Sequence, residues 1–337
     1  MEEALFYDKL EEKKVLCRLC HHHCHIANGK RGFCGVRENQ EGVLFSLVYG
    51  KIVAEHIDPI EKKPLFHFQP KSTSYSIATV GCNFRCEHCQ NYEISQYPNI
   101  VDADITGHTR FPAEIVDAAE AAGCRSISYT YVEPTIFYEY AVDCAELAKK
   151  RGLKNVFVSN GYMGQDVTLS LAGVLDGINI DIKAFTEKFY KQVCKARLAP
   201  VLENVRLMHD LGVWVEITTL VIPGLNDSPE ELRDIARFIK GVDHAIPWHI
   251  TAFHPTYKML DRQPTPSHLL QQAREIGFEE GLQYVYNGNI PGAGGEDTFC
   301  PACQTMLIKR FGFRIMDNLL VDGRCPSCNK EVEGVWT

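Results

Sequence analysis

Gly81-Cys82-Asn83-Phe84-Arg85-Cys86-Glu87-His88-Cys89-Gln90-Asn91 decides how this chain is read. The apolar run Tyr75–Val80 stands directly before it and reads as a strand, so the three cysteines lie on the loop at that strand's carboxyl end. Spacings of three and then two residues let one short loop wrap a cubane and supply three thiolates, whereas a [4Fe–4S] cluster has four irons to ligate. One iron stays open, and an open coordination position marks a catalytic rather than a structural metal site. Such an iron suits a substrate that carries an amine and a carboxylate. The competing reading is a three-cysteine zinc site completed by His88 or another residue. The strand-then-loop context disfavours it, because a zinc knuckle normally shows two CxxC halves.

Outward from this loop the chain alternates short apolar runs with helical patterns. Strands are expected at Tyr75–Val80, Ser126–Tyr131, Asn155–Ser159, Gly177–Asp181, Trp214–Val221 and Pro247–Thr251. Helices are expected at Pro112–Ala122, Phe137–Lys150, Val201–Leu211 and Pro229–Lys240, the last with Ser228 as cap, Pro229 in the first turn and Glu231 three residues beyond the cap. This alternation implies an α/β fold with parallel pairing. Six such units suit a partial (β/α)6 barrel better than eight-fold closure, which takes roughly 250 residues. Ligands then belong at the carboxyl ends of the strands.

The expected organisation is an N-terminal Cys-rich module (1–70), a core (71–290) and a C-terminal module (291–337). The last carries Cys300-Pro301-Ala302-Cys303 and Cys325-Pro326-Ser327-Cys328, two knuckles that make a closed, zinc-ribbon-like four-thiolate site. Zinc is the first choice. A rubredoxin-like iron is the second, disfavoured because Gln304 and Asn329 stand where a glycine usually follows the knuckle. The N-terminal module carries Cys17, Cys20, Cys24 and Cys34 among His21, His22, His23 and His25, with an apolar hairpin-like run Leu44–Tyr49 ending at Gly50. Its spacings allow zinc or an auxiliary [4Fe–4S] cluster. The reading leans to zinc, because histidines are at hand and a closed site would stabilise a region with little core. Cys124, Cys144 and Cys194 read as buried small hydrophobes without chemistry.

These 14 cysteines are the unusual feature of a chain of 337 residues with net charge −8, 45% apolar and 23% charged residues. The composition excludes a wholly disordered or fibrous chain. The acidic balance, without a clustered Lys/Arg surface, argues against nucleic acid as a partner. The start Met1-Glu2-Glu3-Ala4-Leu5 lacks the pattern of a secretory signal, and no run of roughly 18 apolar residues suggests a membrane span. A cytoplasmic, reducing location is therefore expected, where CxxC spacings read as metal sites.

The CxxxCxxC after the first barrel strand resembles the radical S-adenosylmethionine (SAM) superfamily. The resemblance implies a [4Fe–4S] cluster on Cys82, Cys86 and Cys89, with its fourth iron chelating the methionyl amine and carboxylate of SAM. It further implies reductive cleavage to methionine and a 5′-deoxyadenosyl radical that abstracts hydrogen. Cys89-Gln90-Asn91 resembles the end of the cluster loop in the group containing pyruvate formate-lyase activating enzyme. Thr130-Tyr131-Val132-Glu133-Pro134 stands where the family has Gly-Gly-Glu-Pro, with Tyr131 and Val132 replacing the glycines that meet the SAM amine. Ser159-Asn160-Gly161, Asp181-Ile182-Lys183 and Phe253-His254 resemble the turns after later strands. The resemblance thus places Glu133, Asn160, Asp181, Lys183 and His254 near SAM and names no catalytic residue beyond the cluster. Each also has an ordinary reading: Glu133 as a helix cap, Lys183 as a solvated loop lysine, His254 as a structural histidine like His244 and His249. Tyr131, Tyr286 and Asn289 are candidates for the substrate end of the barrel, with packing the favoured role.

Ala4-Leu5-Phe6-Tyr7, Gly32–Asn39, Asp58–His67 and Tyr284–Asn289 are similar to the AmmeMemoRadiSam system radical SAM enzyme, over about residues 1–300. This implies the activating-enzyme type of fold and an activating-enzyme-like oxidoreductase; it does not carry over a substrate, and a glycyl-radical protein, another protein or a small molecule stays open. The implied partners are an electron donor such as flavodoxin or ferredoxin, and Memo-like and AMMECR-type proteins. A different class stays open: a non-catalytic iron–sulfur or zinc scaffold, or electron carrier, that docks partner proteins.

Overall fold

The computed structural model describes residues 1–100, 105–290, 292 and 294–337. Its centre is one eight-stranded sheet, with strands in chain order from one edge to the other. These are β1 (Ala54–Pro59), β2 (Thr73–Ala78), β3 (Ser126–Tyr129), β4 (Lys154–Ser159), β5 (Gly177–Asp181), β6 (Trp214–Val221), β7 (Trp248–Ala252) and β8 (Val285–Gly288). β1 runs antiparallel to β2, and every later neighbour is parallel. The two edge strands do not pair with each other, so the sheet is an open, partial barrel.

The crossovers carry α1 (Pro112–Ala121), α2 (Tyr138–Lys150), α3 (Gln165–Ser170), α4 (Ala199–Asp210), α5 (Pro229–Val242) and α6 (Ser267–Glu279). Ser228 caps α5 through its hydroxyl, which accepts from Glu231 N at 3.2 Å, as its spacing predicts. β3, β5 and β7 are buried almost throughout, because helices cover the outer face and side chains fill the inner one.

The six expected strands are all present, and the sheet extends beyond them at both edges. β1 was not expected, because Ala-Glu-His-Ile-Asp-Pro has a half-exposed, polar pattern fitting an edge paired on one side only. β8 is four residues ending in Gly288, too short to show periodicity. β3 stops two residues before Tyr131, which takes φ +63° and turns the chain out of the sheet.

The C-terminal strands β9 (Thr298–Phe299), β10 (Met306–Phe311) and β11 (Arg314–Asn318) form a small antiparallel sheet. The C-terminal module packs through Leu307 and Ile308 of this sheet, and through Val332 beyond it, on Phe66, Tyr284 and Tyr286. Val335 N donates to His67 O at 2.7 Å and Gln69 N to Val335 O at 2.6 Å. Beneath that joint the buried Glu216 carboxylate of β6 accepts from Phe66 N (3.0 Å), His67 N (2.8 Å) and Trp214 Nε1 (3.0 Å), and pairs with His249 Nε2 at 2.6 Å. The module therefore covers the amino ends of the strands, opposite the cysteine loop. Tyr286 lies at this end, its hydroxyl bonded to His67 and Thr298, so its role is packing.

The N-terminal module sits at the other end. Val43–Ser46 pairs with Arg37–Gln40 in a hairpin whose turn holds Glu41 and Gly42 at positive φ, and a second small sheet joins Tyr7–Lys9, Val15–Cys17 and His25–Ile26. Gly164 N donates to Leu19 O at 2.9 Å and His21 N to Tyr162 O at 3.1 Å, which fastens the module to the turn after β4. A buried ion pair between Arg37 and Glu139 fastens it to α2.

Candidate active site at the carboxyl ends of the strands

Cys82, Cys86 and Cys89 sit on the loop leaving β2, held from several sides. Arg85 N donates to Cys194 O at 3.0 Å and Glu87 N to Val193 O at 3.1 Å. Gln96 Nε2 donates to Phe84 O at 3.0 Å. Phe84 N points at Cys82 Sγ (3.3 Å) and the Ser95 hydroxyl lies 3.2 Å from Cys89 Sγ. Burial pushes the Cys82 thiol well up, and the neighbouring Glu133 and Cys86 add to it; burial and then Cys86 do the same for Cys89. Cys86 goes the other way, because the Cys194 side chain hydrogen-bonds to it and outweighs burial.

Sequence reading left Cys194 without a role. It ends a five-residue π-helical turn, Tyr190–Cys194, followed by Lys195 at φ +60°, and this turn sets its carbonyl and its thiol against the cluster loop, at Arg85 N and Cys86. No local signal distinguishes it from any other buried cysteine.

Glu133 is buried between β3 and β4. Its Oε1 accepts from Thr135 N (3.2 Å), Thr135 Oγ1 (2.5 Å) and Ser159 Oγ (2.8 Å), and its Oε2 accepts from Asn160 N (2.7 Å). It therefore does cap the short helical turn after Pro134, and in the same act joins the ends of β3 and β4. Asn160 Nδ2 continues the chain of contacts by donating to Asn83 Oδ1 at 2.7 Å, within the cysteine loop. Lys183 Nζ donates to Asp181 Oδ2 at 2.8 Å, and Tyr190 OH accepts from Lys183 N at 3.1 Å. Burial opposes the Lys183 charge, but Asp181, Cys86 and Cys194 outweigh it and hold the ammonium firmly protonated. Lys183 is thus a fixed cation beside the loop, not a solvated lysine.

Tyr131 keeps the left-handed backbone that a glycine would take there, at a cost of roughly 1 kcal/mol. Its hydroxyl bonds to Asp58 of β1, and Lys63 Nζ lies 4.7 Å above its ring. Its carbonyl accepts from Asn91 Nδ2 at 2.8 Å. Glu133, Asn160, Asp181 and Lys183 are therefore gathered around the cysteine loop. His254 is exposed past the end of β7, and no hydrogen bond ties it to the others among the described residues. Asn289 Nδ2 donates to Ala252 O at 3.2 Å, at the same end of the sheet.

A family model for the Radical SAM superfamily matches residues 76–239. An uncharacterized protein of Methanocaldococcus jannaschii is 46% identical over 336 residues, 99% of either chain. This chain belongs to the radical SAM superfamily. Among radical SAM relatives, the pyruvate formate-lyase-activating enzyme of Streptococcus mutans is 22% identical over 180 residues, 52% of this chain and 68% of that one. The fold is similar to Streptococcus suis SuiB bound to S-adenosylmethionine, with TM-score 0.51 and 12% identity over 63% of this chain and 49% of that one.

Radical SAM membership implies a [4Fe–4S] cluster and SAM, and the residues present fit both. Burial keeps Cys82 and Cys89 protonated when empty, and coordination to iron is what deprotonates such thiols. Asn83 Nδ2 and His88 Nδ1 are buried in the same loop without a hydrogen-bond partner in the protein. A sulfide- or carboxylate-bearing group there would answer Asn83 Nδ2. Among the described residues, no gathering of metal-ligating side chains includes His88, so the geometry does not bring it in as the fourth ligand of a zinc site.

Among the described residues, Cys300, Cys303, Cys325 and Cys328 are the one such group of metal-ligating side chains whose ligand atoms all lie within 4.8 Å of one another. Cys17, Cys20, Cys24 and Cys34 are mutual neighbours without that spacing. Burial pushes the Cys34 thiol up to about 11, the Val36 N–H opposes it, and Cys17 and Cys24 add to the rise. No helix among the described residues is long and apolar enough to cross a membrane.

Proposed function

We propose that this protein is a radical SAM enzyme of the activating-enzyme type. Cys82, Cys86 and Cys89 would hold the [4Fe–4S] cluster, and the open iron would take the amine and carboxylate of SAM. When bound, the cluster supplies reductive cleavage of SAM to a 5′-deoxyadenosyl radical for hydrogen abstraction. The chain's own residues bind and orient. Glu133 and Asn160 lock the ends of β3 and β4 to the cysteine loop. Lys183, kept charged by Asp181, offers a cation to a carboxylate. Tyr131 presents the backbone at the position facing an amine.

The observation that carries this reading is the three-cysteine loop after β2, encircled by Glu133, Asn160 and the Asp181–Lys183 pair from three successive strand ends. Its substrate is proposed to be a protein or small molecule with an abstractable hydrogen, and its electron donor a flavodoxin or ferredoxin. Memo-like and AMMECR-type proteins are the proposed partners, and zinc the proposed occupant of the C-terminal quartet.

The test is anaerobic reconstitution with iron and sulfide, followed by dithionite and SAM, with 5′-deoxyadenosine measured by mass spectrometry. Wild type should form it and Cys86→Ala should not. Iron without any cleavage would overturn the radical reading in favour of an iron–sulfur scaffold. Deuterium transfer from a labelled candidate into 5′-deoxyadenosine would then identify the substrate.

A further inference from the structure

We infer that Cys17, Cys20, Cys24 and Cys34 hold a second [4Fe–4S] cluster and not a zinc ion. A single tetrahedral ion gathers its sulfurs, since with Zn–S near 2.3 Å neighbouring thiolates stand about 3.8 Å apart. The C-terminal quartet has that spacing, with Cys300 Sγ 3.5 Å from Cys328 Sγ and Cys303 Sγ 3.6 Å from Cys325 Sγ. In a cubane each thiolate caps a different iron at a different corner, so the sulfurs stand further apart. The Cys82, Cys86 and Cys89 triad is of this wider kind, falling outside the 4.8 Å gathering that the C-terminal quartet meets. The N-terminal quartet matches the triad: no three of its sulfurs, with or without the neighbouring histidines, lie within 4.8 Å of one another.

The quartet is nonetheless a built site. Cys17 N donates to Cys24 O at 2.9 Å, and His23 N to Cys20 O at 3.1 Å. Phe33 N donates to Cys24 Sγ at 3.5 Å, the kind of N–H···S bond that tunes cluster thiolates. Cys17, Cys20 and Cys34 are buried.

The histidines that favoured zinc do not gather with the quartet. A ring nitrogen of His22 is 2.6 Å from Asn83 O. His21, His22 and His23 line a surface cleft of about 520 Å³ with Lys191, Lys195 and Arg197, and His25 is exposed. That leaves an all-thiolate set of four, one for each iron.

The site also abuts the first cluster's loop. Gly81, at φ +99°, has no side chain, and a Cβ there would stand 3.1 Å from Cys34 O. Backbone dimensions then bring the Cys34 and Cys82 Cα atoms within about 11 Å. A cluster at the quartet is placed to pass single electrons, taken from a donor of the ferredoxin or flavodoxin class, to the cluster at Cys82.

The test compares three full-length proteins, anaerobically reconstituted: wild type, Cys82→Ala/Cys86→Ala/Cys89→Ala, and Cys17→Ala/Cys20→Ala. Wild type should hold about eight irons and each variant about four. The triad variant should show a [4Fe–4S]-type Mössbauer spectrum and an electron paramagnetic resonance (EPR) signal that SAM does not alter. The reduced wild type should show spin coupling that both variants lack. If Cys17→Ala/Cys20→Ala misfolds, the triad variant alone decides. Two zincs with about four irons in wild type, or no iron in the triad variant, would overturn the inference. The proposed function stands or falls separately, on 5′-deoxyadenosine.

Discussion

Asn160 Nδ2 donates a 2.7 Å hydrogen bond to Asn83 Oδ1, joining the turn after β4 to the interior of the three-cysteine loop. Both residues are buried, and the bond is one link in a chain running Thr135, Glu133, Asn160, Asn83. Asn160→Ala leaves Asn83 Oδ1 without that donor, a loss of about 1–3 kcal/mol. Denaturant titration should show that loss. 5′-Deoxyadenosine formation should fall roughly in proportion to the disordering of the loop, with iron content unchanged. An Asn160→Ala protein as stable and as active as wild type would refute the positioning role.

The thiol of Cys194 against Cys86 leads to a second expectation. A hydrogen bond to a cluster thiolate stabilises the reduced, more negative state, so removing it lowers the midpoint potential. Cys194→Ala should retain about four irons at the Cys82 loop but shift its potential down by roughly tens of millivolts, measured by EPR-monitored redox titration. If the variant instead loses that cluster's iron, Cys194 is a ligand and not a tuning group.

Asp58 ties the edge strand β1 to the site. Burial alone would raise its pKa, but bonds from Lys63 (2.6 Å), Tyr131 and Lys62 (2.9 Å) overcome this and hold it well below the usual 3.8. A carboxylate with a depressed folded pKa contributes stability that is present above its unfolded value and lost as the pH falls through the folded one. Asp58→Asn should therefore cost about 3–5 kcal/mol at neutral pH, since it strands the buried Lys63 ammonium. The gap from wild type should narrow below about pH 4. Unfolding curves from pH 7 to pH 2 check the sign; a gap that does not change across this range would contradict it.

The N-terminal module depends on the Arg37–Glu139 pair, whose side chains are 1% and 5% exposed. Glu139 Oε1 also accepts from Leu5 N at 2.8 Å. Glu139→Ala leaves a buried guanidinium unpaired, at a cost of about 3–5 kcal/mol. Limited proteolysis should then cut first in the segment between Ser46 and β1. A double replacement of Arg37 and Glu139 by leucine and methionine should recover much of the loss.

For the C-terminal quartet the expected occupant is one zinc per chain, by metal analysis. Cys303→Ser/Cys328→Ser should lose it and lower the melting temperature, because structural metal binding is folding free energy. The loss should reach the barrel, since the module buries Phe66, Tyr284 and Tyr286 at the amino ends of the strands. A rubredoxin-like iron in place of zinc would show as a red, zinc-free protein.

How much of this could be read from the sequence follows from physical range. The βα alternation was legible because buried parallel strands are continuous apolar runs, and helices declare themselves by caps such as Ser228. β1 and β8 were not, since an edge strand half in solvent and a four-residue strand ending in glycine carry no periodic signal. Tyr131 stands where the resemblance places a glycine. In the structure its φ is +63°, and its hydroxyl bonds to Asp58 on a strand that the sequence pattern did not reveal.

By itself the sequence determined the alternating strands and helices and the division of cysteines into a triad and two quartets, because thiolate spacing along a loop is a local property. Only the tertiary structure decided that Glu133 both caps its own turn and joins two strands, that Cys194 meets Cys86, and that one quartet is gathered for a single ion while the other is spread. Those are distances between residues far apart in the chain, set by how the barrel's ends pack, and no spacing within a motif encodes them.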